Sequence, residues 1–249
     1  MAGHSKFKNI MHRKGAQDKK RAKLFSRLIR EISVATKLGS NDPASNPRLR
    51  TAINNALASN MTKDSIDKAI KKNSSNGEDN SIEEIIYEGF GPGGAAIIVE
   101  SMTDNRNRSA SEIRSTFSKY NGNLGISGCV KHNFKRMGII SYDSKVSSFE
   151  NFFEFSASLD VIDIIESENV FEVLTDVDLF NNTLEILEKK FSLAKFSGLE
   201  WRPMNTIEIS DENDATKLLT LLEKLEELDD VQNIASNFNI NDSLMEKLV

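Results

Sequence analysis

The chain has 249 residues, of which 39% are hydrophobic and 28% are charged, ordinary proportions for a globular protein. Its length predicts two or three domains. Cys129 is the only cysteine, which excludes an internal disulfide, and the absence of an apolar run of about eighteen residues predicts that no segment spans a membrane. The N-terminus carries Lys6 and Lys8 without an apolar region, unlike a secretory signal, so we expect a cytoplasmic protein.

The net charge of −5 hides a strong division along the chain. Residues 1–72 carry a net charge of +12, residues 73–149 carry −1, and residues 150–249 carry −16. The N-terminal end therefore attracts polyanions and the C-terminal end repels them. We expect such a molecule to dock on a polyanion in one orientation.

The first thirty residues contain ten Lys and Arg residues and a single acid, Asp18. Residues 1–15 have no periodicity and are predicted to be an arm that orders on binding a partner. From about residue 16 the pattern predicts a helix with Ala22, Phe25, Ile29 and Ile32 on its core face and cations on the opposite face. A solvated surface helix is the alternative, but such faces usually mix both signs of charge. The composition favours phosphate binding, with these candidate residues: Lys6, Lys8, Arg13, Lys14, Lys19, Lys20, Lys23, Arg27 and Arg30.

Two further helices follow the first. Asn46 and Pro47 are typical of a helix start, and apolar residues repeat at helical spacing to about residue 60. Thr62 is placed to cap a third helix, with Met61 packing on Ile66, and this helix runs to about residue 72. The sequence predicts a basic helical domain over residues 1–76.

The segment Tyr87–Gly94 contains the spacing GxGxxG at Gly89, Gly91 and Gly94. A dinucleotide-binding loop needs a strand before it and a helix after it. Here the following residues, AAIIVES, predict a strand. We therefore interpret the glycines as a tight turn rather than a cofactor site.

The rest of the chain predicts an α+β fold of two ferredoxin-like β-α-β-β-α-β domains. The first would combine strands near 95–102, 129–134, 206–210 and 231–238 with helices over 107–120 and 215–228. The second would have strands near 138–143, 162–167, 169–175 and 194–201 and helices over 149–159 and 178–191. The predicted boundaries are 82–136 plus 204–249 for a discontinuous domain and 137–203 for an acidic insert. Three consecutive domains remain the alternative.

Between the strand and helix of the first unit lies the segment Thr103–Ser109. Its Asp and Asn residues are typical of a helix cap, which needs no ligand. Arg106 and Arg108, beside the exposed N–H groups of the helix, are equally suited to hold a phosphate. Both interpretations stay open.

The sequence offers no catalytic or metal constellation. His4, His12 and His132 have no neighbour at ligand spacing, and Cys129 is expected to be a small strand residue. We therefore predict a binding protein, not an enzyme, without cofactor or metal. The acids of the last hundred residues are expected to form a solvated face, and a protein partner with a basic surface is the alternative.

Four motifs occur in order along the chain: Ala2–Lys6 with Lys14–Ala16, Tyr87–Gly94, Thr103–Arg108 and Gly122–Gly125. This set resembles the YebC/PmpR family, which includes the mitochondrial translational activator of cytochrome oxidase. The resemblance covers nearly the whole chain. It implies a three-domain cytoplasmic protein with a helical N-terminal domain and two α/β domains.

The resemblance also implies a regulator of gene expression that binds DNA and controls transcription. Other family members resemble translation factors that bind ribosomal RNA or tRNA and act on ribosomes stalled at proline-rich stretches. Lys and Arg neutralise the phosphates of either nucleic acid, so the residues do not distinguish the two.

Overall fold

The computed structural model describes residues 17–74, 82–167 and 169–248. Two compact units are present: the first contains residues 17–20, 82–135 and 201–248, and the second contains residues 21–74, 136–167 and 169–200. The chain passes from the first unit to the second within one strand and returns within another. The first unit is therefore discontinuous in sequence. The finer division of the chain into three domains stays a prediction.

The N-terminal part of the second unit is a helical bundle of α1 (Gln17–Leu38, in this unit from residue 21), α2 (Pro47–Ala58) and α3 (Lys63–Ser74). These helices confirm the predicted ones. Apolar side chains from all three form one core, whose buried members are Ile32, Ala35, Leu49, Ala52, Ala56, Met61, Ile66 and Ala69.

Local polar contacts fix where α2 begins. The Asn46 side chain accepts a hydrogen bond from the Leu49 N–H at 3.1 Å and caps the helix, while its Nδ2 donates to the Ala35 carbonyl at 2.8 Å. Arg48 forms a bidentate ion pair with Glu31 at 2.7 and 3.1 Å. The cap and the ion pair tie α2 to α1 in one register.

The C-terminal part of the second unit is a sheet with two helices: β4 (Phe134–Asp143), α5 (Phe149–Ala157), β5 (Asp163–Ser167), β6 (Val170–Thr175), α6 (Phe180–Phe191) and β7 (Phe196–Pro203). The strand order is β5-β6-β4-β7. This β-α-β-β-α-β succession agrees with the one predicted for the insert. Aromatic rings fill its core, with the Phe152 centroid 5.0 Å from those of Phe171 and Phe191.

Helix α2 also contacts this sheet and its helices. The Asn55 side chain donates to the Ser197 carbonyl at 2.6 Å and accepts from the Ser197 N–H at 2.9 Å. The Asn54 amide donates to Glu188 on α6. These contacts join residues that are 134 to 142 positions apart in sequence, so the periodicity of the sequence does not predict them.

The first unit contains an antiparallel sheet of four strands, β1 (Glu83–Phe90), β2 (Ala96–Thr103), β3 (Asn123–Leu124) and β9 (Val231–Ser236), in the order β3-β1-β2-β9. Its helices are α4 (Arg106–Lys119), α7 (Glu212–Glu226) and α8 (Asp242–Leu248). The helices bury one face of the sheet over a core that includes Ile97, Val99, Ile113, Phe117, Leu218, Leu221 and Leu244. Two short parallel strands, β8 (Ile207–Glu208) and β10 (Phe238–Asn239), form a separate pair.

The prediction of a ferredoxin-like order in this unit is wrong. The sequence analysis did not predict β1, which pairs with β2 along its whole length. Residues 129–133, predicted as a strand, form turns and a short helical turn, because the Glu88 carboxylate takes the N–H groups of Val130 and Lys131 that a strand would use in pairing. The predicted strand 206–210 is reduced to β8. The α+β class itself is confirmed.

Candidate nucleic-acid interface

Part of the predicted phosphate-contacting set lies outside the described residues, namely Lys6, Lys8, Arg13 and Lys14. For Lys19 and Lys20 the structure describes only the helical backbone of α1. The described side chains of the set are Lys23, Arg27 and Arg30 on α1 and Arg106 and Arg108 on α4.

Helix α1 contacts the bundle core with a face rotated from the predicted one. Phe25, Leu28, Ile32 and Ala35 pack in the core, whereas Ala22 and Ile29 are exposed. The rotation is about 60° at 100° per residue. It arises because α2 and α3 cover the Leu28 and Ala35 side of the helix.

The predicted cations of α1 point away from this core face. Lys23, Arg27 and Arg30 are half-buried, and the Nζ of Lys23 is itself buried, so its charge is less accessible to a phosphate than that of an exposed cation. Arg21, outside the predicted set, is exposed and stacks its guanidinium 5.3 Å from the Phe25 ring centroid. These four cationic side chains all lie between residues 21 and 30 of the helix.

The bundle as a whole is strongly basic. Residues 21–74 contain 11 Lys and Arg residues and 4 Asp and Glu residues, a net charge of +7. Among the cations whose side chains the structure describes, six are exposed: Arg21, Lys37, Arg50, Lys63, Lys68 and Lys71. The Lys68–Asp64 pair at 2.7 Å is about three-quarters exposed on both sides, so it screens little of this charge. A cationic surface of this kind attracts phosphates.

The segment before α4 is organised by capping and by one buried carboxylate. The Asn105 side chain accepts from the Arg108 N–H at 3.1 Å and caps the helix. The buried Asp230 accepts hydrogen bonds from Thr103, Ser109 and Arg108. The capping interpretation is therefore confirmed for Asn105.

Arg108 is held by two carboxylates, at 2.7 Å from Asp104 and 3.1 Å from Asp230. A phosphate at this place would compete with both acids. Arg106 is exposed, and its backbone carbonyl lies 3.4 Å from the Tyr87 hydroxyl. Phosphate binding by Arg106 and Arg108 stays a prediction, and the geometry favours Arg106 of the two.

The glycine segment after β1 forms a tight turn into β2. Gly93 and Gly94 adopt φ angles of 68° and 79°, and a Cβ on Gly93 would lie 2.5 Å from Cδ1 of Ile209. The turn leads into a strand, so this segment does not form the strand-turn-helix arrangement of a dinucleotide site. Left-handed backbone and close packing account for these glycines.

Glu88 anchors the loop that follows β3. Its carboxylate accepts from the N–H groups of Gly128 at 2.7 Å, Val130 at 2.9 Å and Lys131 at 2.8 Å. Burial acts to raise the pKa of Glu88, but these hydrogen bonds and the charge of Lys131 outweigh it and hold the pKa below 4.5. Sequence analysis missed this role, since Glu88 lies 40 to 43 residues from its partners.

A polar cleft of about 210 Å³ lies between α2 and α6 in the second unit. Its lining residues are Arg50, Thr51, Asn54, Asn181, Leu184, Glu185 and Glu188. Burial raises the pKa of Glu188 above its usual 4.5, against the hydrogen bonds from Ala194 and Asn54 and the charge of Arg50. No motif in the sequence indicates this cleft.

The last features to consider are the single cysteine, possible metal ligands and membrane-spanning helices. Cys129 is half-buried, and burial together with the charge of Glu88 raises its thiol pKa. Across residues 17–74, 82–167 and 169–248, no group of three or more metal-ligating side chains occurs. The same ranges contain no helix long and apolar enough to cross a membrane.

The fold and charges define a multidomain α+β protein with a cationic helical bundle in its N-terminal part. Residues 5–76 match the family model described as the TACO1/YebC protein N-terminal domain, and residues 82–238 match the one described as the TACO1/YebC second and third domain. The chain therefore belongs to the TACO1/YebC family, as its motifs predicted.

Named relatives agree with this membership. The chain is 50% identical over 248 residues to a "probable transcriptional regulatory protein" of Rickettsia bellii (strain RML369-C), covering 100% of this chain and 98% of that protein. A protein of Rickettsia canadensis (strain McKiel) with the same description is 49% identical over 245 residues, covering 98% of this chain and 97% of that protein. The crystal structure of the conserved hypothetical protein Aq1575 from Aquifex aeolicus is similar with a TM-score of 0.84 and 45% identity, covering 90% and 92% of the two chains.

Proposed function

We propose that this protein is a nucleic-acid-binding regulator of gene expression that acts by binding DNA and controlling transcription. The observation that carries the proposal is the charge of the N-terminal part, +12 over residues 1–72 in a chain of net charge −5. The relatives' description as probable transcriptional regulatory proteins supports the regulatory role. No catalytic role is part of the proposal.

Binding begins with phosphate contacts. The N-terminal residues and the cationic side of α1 neutralise phosphates and release counterions, which provides affinity without sequence preference. The acidic C-terminal segment, with −16 over residues 150–249, is repelled by the same phosphates. The nucleic acid is therefore expected to contact the bundle side.

The salt dependence of binding tests this proposal. The double substitution of Lys19 and Lys20 by Gln should reduce the slope of log K against log[salt] by about 0.9 per lost contact on duplex DNA and about 0.7 on single strands. The control replaces Lys145 and Lys247, which are exposed and lie outside the bundle, by Gln. If both variants bind with the wild-type slope, Lys19 and Lys20 do not contact phosphate. If the wild type itself binds no nucleic acid, the proposal is wrong.

A ribosome-associated translation factor is the second candidate. It is favoured by the match to family models that carry the name of TACO1 along with YebC. In that case the same cations contact ribosomal RNA or tRNA, and the protein relieves stalling at proline-rich stretches. Co-sedimentation with ribosomes, lost in the Lys19 and Lys20 double variant, would support this candidate over the first.

A further inference from the structure

The cleft between α2 and α6 is the place where the basic bundle meets acidic side chains of the same unit. Helix α2 contributes Arg50, Thr51 and Asn54. Asn54 follows the other two by four and three residues, so all three share one side of the helix. Helix α6 contributes Asn181, Leu184, Glu185 and Glu188, which share one side of their helix through the same spacings of three and four residues. The two rows form opposite walls.

The walls offer hydrogen-bond donors and acceptors in planar groups. The Asn54 amide nitrogen lies 3.2 and 3.3 Å from the two oxygens of Glu188, so a single amide group spans the whole carboxylate with two long contacts. An ionised carboxylate accepts about four hydrogen bonds. The Ala194 N–H also donates to Glu188, so the carboxylate keeps capacity for about one further hydrogen bond from a ligand. Leu184 lines the cleft but is only 5% exposed, so its apolar surface there is small.

The charges of the cleft disfavour two classes of ligand. Glu185 is paired with Lys189 at 2.7 Å. Glu188 offsets Arg50, so the cleft has no excess of positive charge with which to hold a free phosphate or another small anion. A purely apolar ligand would not match the Arg50 guanidinium and the Asn181 amide. A small planar group that both donates and accepts hydrogen bonds fits the cleft better than either.

Nucleobases belong to this class. Asparagine pairs with the amino and ring-nitrogen edge of adenine, and glutamate accepts from the amino group of cytosine. Arg50 is exposed at the rim of the cleft, where it can neutralise the phosphate of the same nucleotide. A volume of about 210 Å³ accommodates one base and excludes a base pair within a duplex.

We propose that this cleft binds one unpaired nucleobase that carries an exocyclic amino group, as adenine, cytosine and guanine do. Uracil and thymine are disfavoured, because a carbonyl group would face the Glu188 carboxylate where adenine, cytosine and guanine present an amino group. The inference rests on the proposed function, since the bundle's cations hold the strand from which the base comes. It adds a base-reading element to contacts that otherwise recognise only phosphate.

Binding of three labelled single-stranded RNA oligomers of equal length, oligo(A), oligo(C) and oligo(U), to the full chain tests the inference. The wild type should bind oligo(A) or oligo(C) at least about tenfold more tightly than oligo(U). Glu188→Gln, which keeps the shape of the side chain, and Asn54→Ala should reduce this ratio toward one while leaving oligo(U) affinity nearly unchanged. Glu154→Gln, an exposed position outside the cleft, removes the same charge and should keep the wild-type ratio.

The outcomes separate the inference from the function on which it rests. If the wild type binds all three oligomers equally, or if Glu188→Gln and Asn54→Ala keep the wild-type ratio, the cleft does not read a base and the inference is wrong. Phosphate-driven binding by the bundle would still stand in that case. If the wild type binds none of the oligomers nor duplex DNA, the proposed function and the inference both fail.

Discussion

At the scale of single residues, two buried carboxylates organise the first unit by collecting donors that are distant in sequence. Asp230 gathers Thr103, Arg108 and Ser109, and Glu88 gathers three backbone N–H groups. Burying a carboxylate is unfavourable unless hydrogen bonds compensate for its lost hydration. Because each of these acids accepts three hydrogen bonds, it can hold distant parts of the fold together. Sequence periodicity contains no sign of either role.

Replacing Asp230 by Ala should destabilise the protein by about 1–3 kcal/mol, since the hydroxyls of Thr103 and Ser109 lose a buried acceptor. Asp229→Ala, at the exposed neighbouring position, is the control and should change stability by less than about 0.5 kcal/mol. Urea unfolding measures both values. Equal effects of the two substitutions would contradict the assignment of Asp230 as the centre of the network.

Glu188 should make stability depend on pH in a direction that its raised pKa fixes. A carboxyl whose pKa is higher in the folded state stabilises the fold at pH values below its unfolded pKa, and this contribution is lost as the pH rises through the folded-state pKa. Glu188→Gln should therefore melt at a higher temperature than the wild type at neutral pH. The difference should shrink as the pH falls toward about 4. A Gln variant that is less stable than the wild type at neutral pH would contradict this explanation.

At the scale of elements, the turn between β1 and β2 depends on glycine for two separable reasons. Gly93 needs both a left-handed backbone and space beside Ile209, whereas Gly128, with φ 87°, has no atom within 4 Å of the place that a Cβ would occupy. The comparison of these glycines separates backbone strain from packing.

Gly93→Ala should destabilise the protein more than Gly128→Ala. The second substitution incurs only the strain of a left-handed residue, about 1 kcal/mol, whereas the first adds overpacking of about 1–3 kcal/mol against Ile209. Thermal or urea unfolding of both variants measures the difference. If the two variants have equal stability, Ile209 moves freely and the packing argument is wrong.

The loop held by Glu88 should respond to acid. Its pKa is lowered in the folded state, so its stabilising contribution is present above the ordinary value of 4.5 and is lost as the pH falls through the folded-state pKa. Glu88→Gln should remove this part of the acid sensitivity and expose the N–H groups of residues 128–131 to faster hydrogen exchange at neutral pH. Unchanged exchange in these residues would show that Glu88 does not hold the loop.

Local signals predicted the elements that depend on neighbouring residues. The Asn46 cap, the helices α1 to α3 and the β-α-β-β-α-β succession of the second unit follow from periodicity and capping. The loop on Glu88 and the cleft at Asn54 and Glu188 did not follow, because pairings across 40 or more residues decide them. Strand β1 was missed although it pairs with the neighbouring strand β2. The core face of α1 was misplaced because α2 and α3 determine which side is covered.

At the scale of the whole molecule, charge rather than any single site carries the functional argument. A segment of +12 precedes one of −16, so phosphates are attracted at one end of the sequence and repelled at the other. Such an arrangement provides affinity and orientation but little sequence specificity. Base recognition in the cleft would supply the missing specificity for unpaired strands.

The measurement that tests the central claim most directly is ultraviolet crosslinking in cells, with sequencing of both DNA and RNA, for the wild type and a variant lacking residues 1–20. The account predicts nucleic-acid crosslinks that are lost with these residues. Peaks at a few promoters would identify a transcriptional regulator, and peaks on ribosomal RNA or tRNA a translation factor. Crosslinks at background level, or crosslinks that persist unchanged in the shortened variant, would contradict the claim that the basic N-terminal segment binds nucleic acid.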